Sequence, residues 1–292
     1  MDSWDEIRTA FHVARAGTVS GAADRLGVHH ATVIRHIDAL ESRLGVRLFQ
    51  RHARGYTATD AGQDLLRVAQ ATDDQFTQLA GRIKGLGEGV TGELIVTSLG
   101  EFGPFLAPIV AEFCALHPEV DAQILTDTRV FRLEYGEAHV AIRAGSRPTE
   151  PDNVVQPLTK MRMAMVASSD YVARMGKVAD EADLARHAFV THADTDHRAP
   201  FYRWLAERAP DARRPFRSTE TRVLREAIVA GAGIGFVSEY ERAGAPDLVE
   251  VYPAQDAWAV DLWIVTHVDL HRSSKVQAFA TFLKDRVKEG AS

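Results

Sequence analysis

The sequence has 292 residues, of which 25% are charged and 46% hydrophobic, ordinary globular composition for one large or two medium domains. No run of about 18 apolar residues occurs, Cys114 is the only cysteine, and the N-terminal MDSWDEIRTAFHVA carries acids where a signal peptide needs positive charge. A spanning helix, an internal disulfide and a thiolate zinc site are therefore excluded, and a cytoplasmic protein without membrane contact is expected. The formal net charge of −6 speaks against a polyanionic partner, but residues 25–54 hold six arginines against Asp38 and Glu41, a net of +4, leaving −10 on the remainder. A basic patch on an acidic body still attracts nucleic acid locally.

Residues 5–16 set Ile7, Ala10, Phe11 and Ala14 at helical spacing, and Gly17 ends that helix. Ser20 reads as the N-cap of a second helix over 21–26, with Ala22, Ala23 and Leu26 inward. After a break at Gly27, Val28 and His29, a third helix runs over 30–44 with Val33, Ile37, Leu40 and Leu44 as its apolar stripe. Val46, Leu48 and Phe49 alternate as the base of a wing, and 55–58 can return as its second strand. Thr59 then caps a helix from about residue 60 to 84. Leu65/Leu66, Ala69, Thr72/Asp73, Phe76, Leu79/Ala80 and Ile83 recur along it at steps of three and four, a seam for another helix. Four glycines over 85–92 form a linker.

From Glu93 strands and helices alternate. Strands fit 94–97, 120–125, 140–142, 164–167, 189–191, 234–237 and 262–266; helices fit 105–116, 200–208, 221–230 and 273–287. That alternation describes open α/β sheets with crossover helices, and about 200 residues of it suggests two small lobes.

A short helix, a turn opened by glycine and a longer helix have helix-turn-helix geometry, whose second helix enters the major groove of double-stranded DNA. Thr32, Arg35 and His36 are expected on the outward face, with His29 and His30 at the tip; Arg35 can pair bidentately with guanine. Arg47, Arg51, His52 and Arg54 suit a basic wing. A plain three-helix bundle with a solvated polar face accounts for the same spacing. A metal reading fits poorly: His29, His30 and His36 include no i, i+4 pair, and HExxH is absent. The sequence GAGIGF at 231–236 lies between helix and strand, the reverse of a dinucleotide fingerprint, and reads as a helix end followed by a strand. Cys114 reads as a small core residue.

The stretch GTVSGAADRLGVHHATVIRHIDALESRLGVRLFQRHARGYTATDAG, residues 17–62, resembles the N-terminal winged helix-turn-helix of LysR-type transcriptional regulators. It carries that pattern's AA-x-x-L at 22–26, I-x-x-L-E-x-x-L-G-x-x-L-F-x-R at 37–51, R-G at 54–55 and T-x-A-G at 59–62. REAIVAGAGIGFVSEY (225–240) and the closing segment 261–287 resemble later parts of the same family. Two departures stand out: Ile34 where the family often has Ser, and His29-His30 where many members have Ser-Gln.

The resemblance implies an α+β multidomain bacterial protein. A winged helix-turn-helix domain would occupy 1–59, a linker and dimerisation helix with its hinge 60–88, and a two-lobed, periplasmic-binding-protein-like effector domain 89–292. The first lobe would be 93–162 with 267–292, the second 163–266. It implies DNA contacts from Ser20, His29, His30, Thr32, Arg35, His36, Arg51 and Arg54. An unknown small-molecule effector or co-inducer would bind between the lobes near Ser98, Glu101, Phe102, Thr126, Thr128, Arg143, His192 and Thr219, with no metal and no cofactor. Glu101 stands where an anion would otherwise bind a helix N-terminus, so a simple carboxylate effector fits poorly. A loop metal site at His192, Asp194, Asp196 and His197 is a weaker reading than hydrogen-bonded turns. A homodimer or homotetramer is implied. The competing reading is a DNA-binding protein whose α/β part is an enzyme or only an assembly domain; no nucleophile–base constellation supports an enzyme.

Overall fold

A computed structural model describes residues 4–52, 55–83, 90–127 and 129–290. Arg54, Thr128 and most of the expected glycine linker lie outside these residues.

The N-terminal unit packs α1 (Trp4–Ala16), α2 (Val19–Leu26) and α3 (His30–Leu44) around Ala10, Val13, Ala22, Ala23, Val33, Ile37 and Leu40. Each helix stops at a glycine in the left-handed region, Gly17, Gly27 and Gly45, a conformation that costs other residues more. The N-cap of α2 is Thr18, whose hydroxyl accepts from the Gly21 N–H at 3.1 Å. The expected cap, Ser20, instead lies exposed within the first turn. Both hydroxyls precede the same apolar stripe, and the αL turn at Gly17 sets the chain so that Thr18 has the extended backbone a cap needs.

The wing is an antiparallel pair, β1 (Phe49–His52) and β2 (Gly55–Ala58). It begins at Phe49, leaving Val46 exposed. Two glycines let backbones touch here. A Cβ on Gly55 would meet the Gly17 carbonyl oxygen at 2.3 Å, and one on Gly62 would meet that of Leu48 at 2.1 Å. Gly62 lies in α4 (Asp60–Ile83), so this near-contact seats the long helix on the wing. Leu65 packs onto the winged-helix core and Ala69 is buried. Val68 and Phe76 stay exposed, and Trp4 lies edge-on to Phe76 at 5.2 Å. Of the seam read from the sequence, Ala69 is thus buried within the chain and Phe76 is open, while the side chains of Leu79, Ala80 and Ile83 lie outside the described residues.

The first lobe begins with β3 (Gly92–Ser98), α5 (Gly103–Leu116), β4 (Val120–Thr126), β5 (Val140–Ala144) and β6 (Asn153–Met161). At Arg162 the chain crosses into the second lobe: β7 (Met163–Ser168), α6 (Ser169–Met175), β8 (Ala188–His192), α7 (Pro200–Arg208), β9 (Arg213–Ser218), α8 (Thr221–Val229), β10 (Gly235–Ser238), α9 (Glu239–Ala243) and β11 (Leu248–Tyr252). It returns through 253–259 to β12 (Val260–His267), α10 (Val268–His271) and α11 (Ser274–Gly290). The first sheet has strand order β4-β3-β5-β12-β6, with β3 parallel to β4 and β5, and β12 antiparallel to β5 and β6. The second lobe combines β10-β7-β11 with the parallel pair β8-β9, and a Phe189–Ile234 bridge joins them.

This topology corrects one expected boundary. Residues 260–266 were expected in the second lobe, but β12 pairs with β5 and β6 and belongs to the first. The return crossing thus lies between Tyr252 and Val260. Strand β6 was not anticipated, because Pro157 and mixed polarity blur its alternation. The glycines of GAGIGF serve packing: a Cβ on Gly233 would meet the Ala188 carbonyl oxygen at 2.5 Å, and one on Gly235 the Ile228 side chain at 2.3 Å. Cys114 packs half-buried against the first-lobe core. Among the described residues no helix is long and apolar enough to cross a membrane.

The winged-helix unit rests on the first lobe. Arg15 of α1 is ion-paired with Glu93 at the start of β3, Arg67 of α4 reaches Asp269 at 3.2 Å, and Gly136 lies against Gln70. Gly62→Ala is expected to lower stability by about 1–3 kcal/mol through forced separation of α4 from the wing; thermal unfolding that matches the unsubstituted protein would show that the backbone contact is dispensable.

Candidate nucleic-acid interface and ligand cleft

Helix α3 buries Val33, Ile37 and Leu40 and exposes Ala31, Ile34, Arg35 and Asp38, an i, i+3, i+4, i+7 stripe facing solvent. His29 occupies its N-cap without a side-chain cap bond, and the exposed residues His29 and His30 flank that helix end. Such a helix end attracts phosphate. Thr32 lies half-buried on the flank, and Ser20 is exposed on α2.

His36 departs from its expected outward position. Its Nδ1 lies 2.9 Å from Thr9 Oγ1, and that hydroxyl already donates to the Asp5 carbonyl at 2.6 Å. With its one hydrogen committed, Thr9 accepts, so the imidazole donates from Nδ1 and faces α1 rather than a groove. Ile34, 39% exposed, takes the outward place instead.

The wing is fixed to α3 through Glu41, a carboxylate 5% exposed. Its Oε1 accepts from the Leu48 and Phe49 N–H groups at 2.8 and 3.1 Å, and its Oε2 from Arg47 and Arg51 at 2.7 and 2.9 Å. Burial raises its pKa, but the Arg47 and backbone hydrogen bonds and the Arg51 charge outweigh that and hold it below the ordinary range. Arg51 also donates to Asp38 at 2.6 Å and lies 5.4 Å from the Tyr56 ring. The guanidinium expected to meet phosphate thus braces the wing. Arg43 pairs with Glu6. Arg35, by contrast, makes no ion pair among the described residues, and its charge is available on the exposed face.

The expected effector residues divide among three places. Glu101 and Phe102 line a small, partly open cavity of about 50 Å³ between the lobes, with Met161, Met163, Phe201, Tyr202, Phe236 and Glu241. Arg143 lines a larger open cleft of about 920 Å³, with Arg198, Pro200, Arg203, Glu134 and Glu150. Its Nη2 donates to the Phe131 carbonyl at 2.9 Å, and burial lowers its pKa. His192 lines a third pocket with Asp194, Tyr202 and Arg217. Ser98 is buried with its hydroxyl donating to the Leu99 carbonyl, while Thr126 and Thr219 are exposed; none of these three lines the cavity or the large cleft. Thr221 lines the cavity in place of Thr219.

The histidine loop has a local explanation. The imidazoles of His192 and His197 accept from the Asp194 and Ala199 N–H groups, and their rings lie 4.2 Å apart. Among the described residues no group of three His, Cys, Asp or Glu side chains is set to hold a metal. The aromatic walls Phe201, Tyr202 and Phe236 were missed; a Phe-Tyr pair opening an amphipathic helix looks like core until the lobes are placed together.

Residues 4–63 match the family described as bacterial regulatory helix-turn-helix protein, lysR family, and residues 87–288 match the LysR substrate binding domain. The chain is 26% identical over 298 residues to the HTH-type transcriptional repressor PA14_22550 of Pseudomonas aeruginosa, covering 99% of this chain and 93% of that one. It has the fold of a full-length OxyR variant from P. aeruginosa, with TM-score 0.72, 18% identity and coverage of 99% and 95%. It also resembles full-length CbnR complexed with its target DNA, with TM-score 0.60, 21% identity and coverage of 98% and 99%.

Glu41→Gln keeps the shape but removes the charge shared by two arginines, and is expected to cost about 1–3 kcal/mol. Because the folded pKa is depressed, that contribution is present above the ordinary carboxylate range and fades as pH falls through the folded value. The gap between the two unfolding curves should therefore be constant above the ordinary carboxylate range and narrow as pH falls below it; a pH-independent gap would count against the ionised Glu41 as the source.

Proposed function

The chain belongs to the LysR family of bacterial transcriptional regulators, which are not enzymes, and from that premise we propose how it reads DNA and answers a ligand. The observation that carries the DNA reading is the outward face of α3, where the unneutralised Arg35 and exposed Ile34 follow an uncapped helix end flanked by His29 and His30. Arg35 reads a guanine edge in the major groove, Ile34 offers apolar contact to a thymine methyl, and the helix tip and Ser20 meet phosphate. The family resemblance adds Arg54 as a phosphate contact. Arg51 acts by holding the wing at its working angle. His36 positions α3 against α1.

Two chains pair through the open part of the α4 seam, where Val68, Phe76 and Trp4 present apolar surface. Two recognition helices then meet half-sites separated by whole turns of DNA. Dimers pair through their effector domains. A small molecule at the lobe interface shifts that arrangement and with it the bend of the promoter in the cytoplasm; bending a site costs on the order of 1–6 kcal/mol, a range that modest coupling can switch. No resident cofactor or metal is required.

Arg35→Ala is expected to lose about 1–3 kcal/mol of discrimination between operator and random duplex. Equal losses on both, measured by fluorescence anisotropy at fixed salt, would remove Arg35 from base readout. Phe76→Asp is expected to shift the sedimentation profile toward monomer, and an unchanged profile would place the dimer interface elsewhere.

A further inference from the structure

We propose that the small cavity between the lobes receives a primary ammonium group, held between Glu101 of the first lobe and Glu241 of the second. This rests on reading the lobe interface as a ligand site and names the chemical class of its ligand.

The cavity joins two negative groups from opposite lobes inside an aromatic wall. Phe102 comes from the first lobe; Phe201, Tyr202 and Phe236 come from the second. The Glu241 Oε2 accepts from the Ser238 N–H and hydroxyl, each at 3.0 Å, within the capping box of α9. No hydrogen bond or ion pair engages Glu101 among the described residues. The remaining charged and titratable groups lining the cavity do not neutralise it. Arg225 is paired with Glu226 at 3.0 Å. The His197 Nδ1 accepts from the Ala199 N–H, and burial lowers this imidazole's pKa. Burial, then the Glu101 charge, pushes the Tyr202 phenol up, so it stays protonated.

The consequence is visible in Glu101 itself. Burial, then repulsion from Glu241, pushes its pKa up to about 7. What Glu101 lacks is a cationic partner, and aromatic faces beside carboxylates are the surroundings an ammonium favours. A volume of about 50 Å³ suits a small alkylammonium head rather than a ring. A carboxylate ligand would instead add a third negative group to the same space.

The test uses the full-length protein at constant ionic strength, with methylammonium, ethylammonium and propylammonium set against acetate, propionate and butyrate. At about tenfold above Kd, an amine is expected to raise Tm by ~2–4 °C. Since it favours ionised Glu101, stabilisation should be larger at pH 8 than at pH 6. Calorimetry in buffers of different ionisation enthalpy should register proton release near pH 7. Glu101→Gln should abolish both the stabilisation and the proton release while leaving affinity for random duplex DNA unchanged, which reports an intact fold. Glu241→Gln, which can keep the cap, should weaken the effect. If amines stabilise Glu101→Gln as well as the unsubstituted protein, the assignment is wrong. If the carboxylates stabilise and the amines do not, the ligand class is wrong while the lobe interface remains a ligand site. If neither series acts, both readings fail.

Discussion

The DNA-binding end of the molecule depends on one buried carboxylate. Glu41 sits on the last turns of α3 and collects two backbone N–H groups of the chain entering the wing and two guanidinium groups. A buried charge survives only when its hydrogen-bonding capacity is filled. The arrangement that fills it also sets the angle between recognition helix and wing. Arg47 and Arg51 are therefore part of the frame, and the basic patch is less free than its arginine count implies. Gly55 and Gly62 complete that frame by letting the wing approach the α1–α2 turn and α4 approach the Leu48 carbonyl. Those glycines stand where the resemblance placed them, and the reason is steric.

Much of this was legible in the sequence because it is local. The stripe Val33, Ile37, Leu40 and the glycine stops fix where α3 begins, ends and faces, although Leu44, expected in that stripe, is exposed in the last turn. The alternation at 46–49 and the spacing of apolar residues beyond Asp60 point to the wing and the long helix, and the family pattern over 17–62 agrees with both. What failed depended on partners distant in sequence. His36 looks outward on a helical wheel, but Thr9, 27 residues earlier, turns it inward. Strand β12 follows second-lobe elements in the chain, and only its pairing with β5 and β6 assigns it to the first lobe. The cap at Thr18 rather than Ser20 reflects a choice between two hydroxyls that the αL turn at Gly17 decides.

The ligand cleft was less legible for the same reason. Glu101 was conspicuous as a charge where an anion-binding residue was expected, and the structure does place it at the lobe interface. Its surroundings come from α7, β10 and α9, more than 90 residues away along the chain. Residues chosen by position after strands, such as Thr126 and Thr219, turn out exposed, because strand ends lead to the interface only where the lobes meet. That meeting is direct: Phe105 of α5 lies 4.9 Å from Tyr240 of α9, and the Glu239 N–H donates to the Arg162 carbonyl.

Strand β3 gives the ion pair between Arg15 and Glu93 a wider meaning. The strand runs roughly 20 Å from Glu93, under the DNA-binding helices, to Ser98, where the chain turns toward Glu101. It is interior to its sheet, hydrogen-bonded on both sides, and so behaves as a strut rather than a spring. With Arg67–Asp269 as a second fastening, the DNA-reading unit and the first lobe form the chassis of each protomer. The second lobe is joined to it by two crossings of the chain, at Arg162 and through 253–259. On the function proposed above, ligand occupancy becomes a question of where the second lobe leaves its outer surface relative to that rigid body.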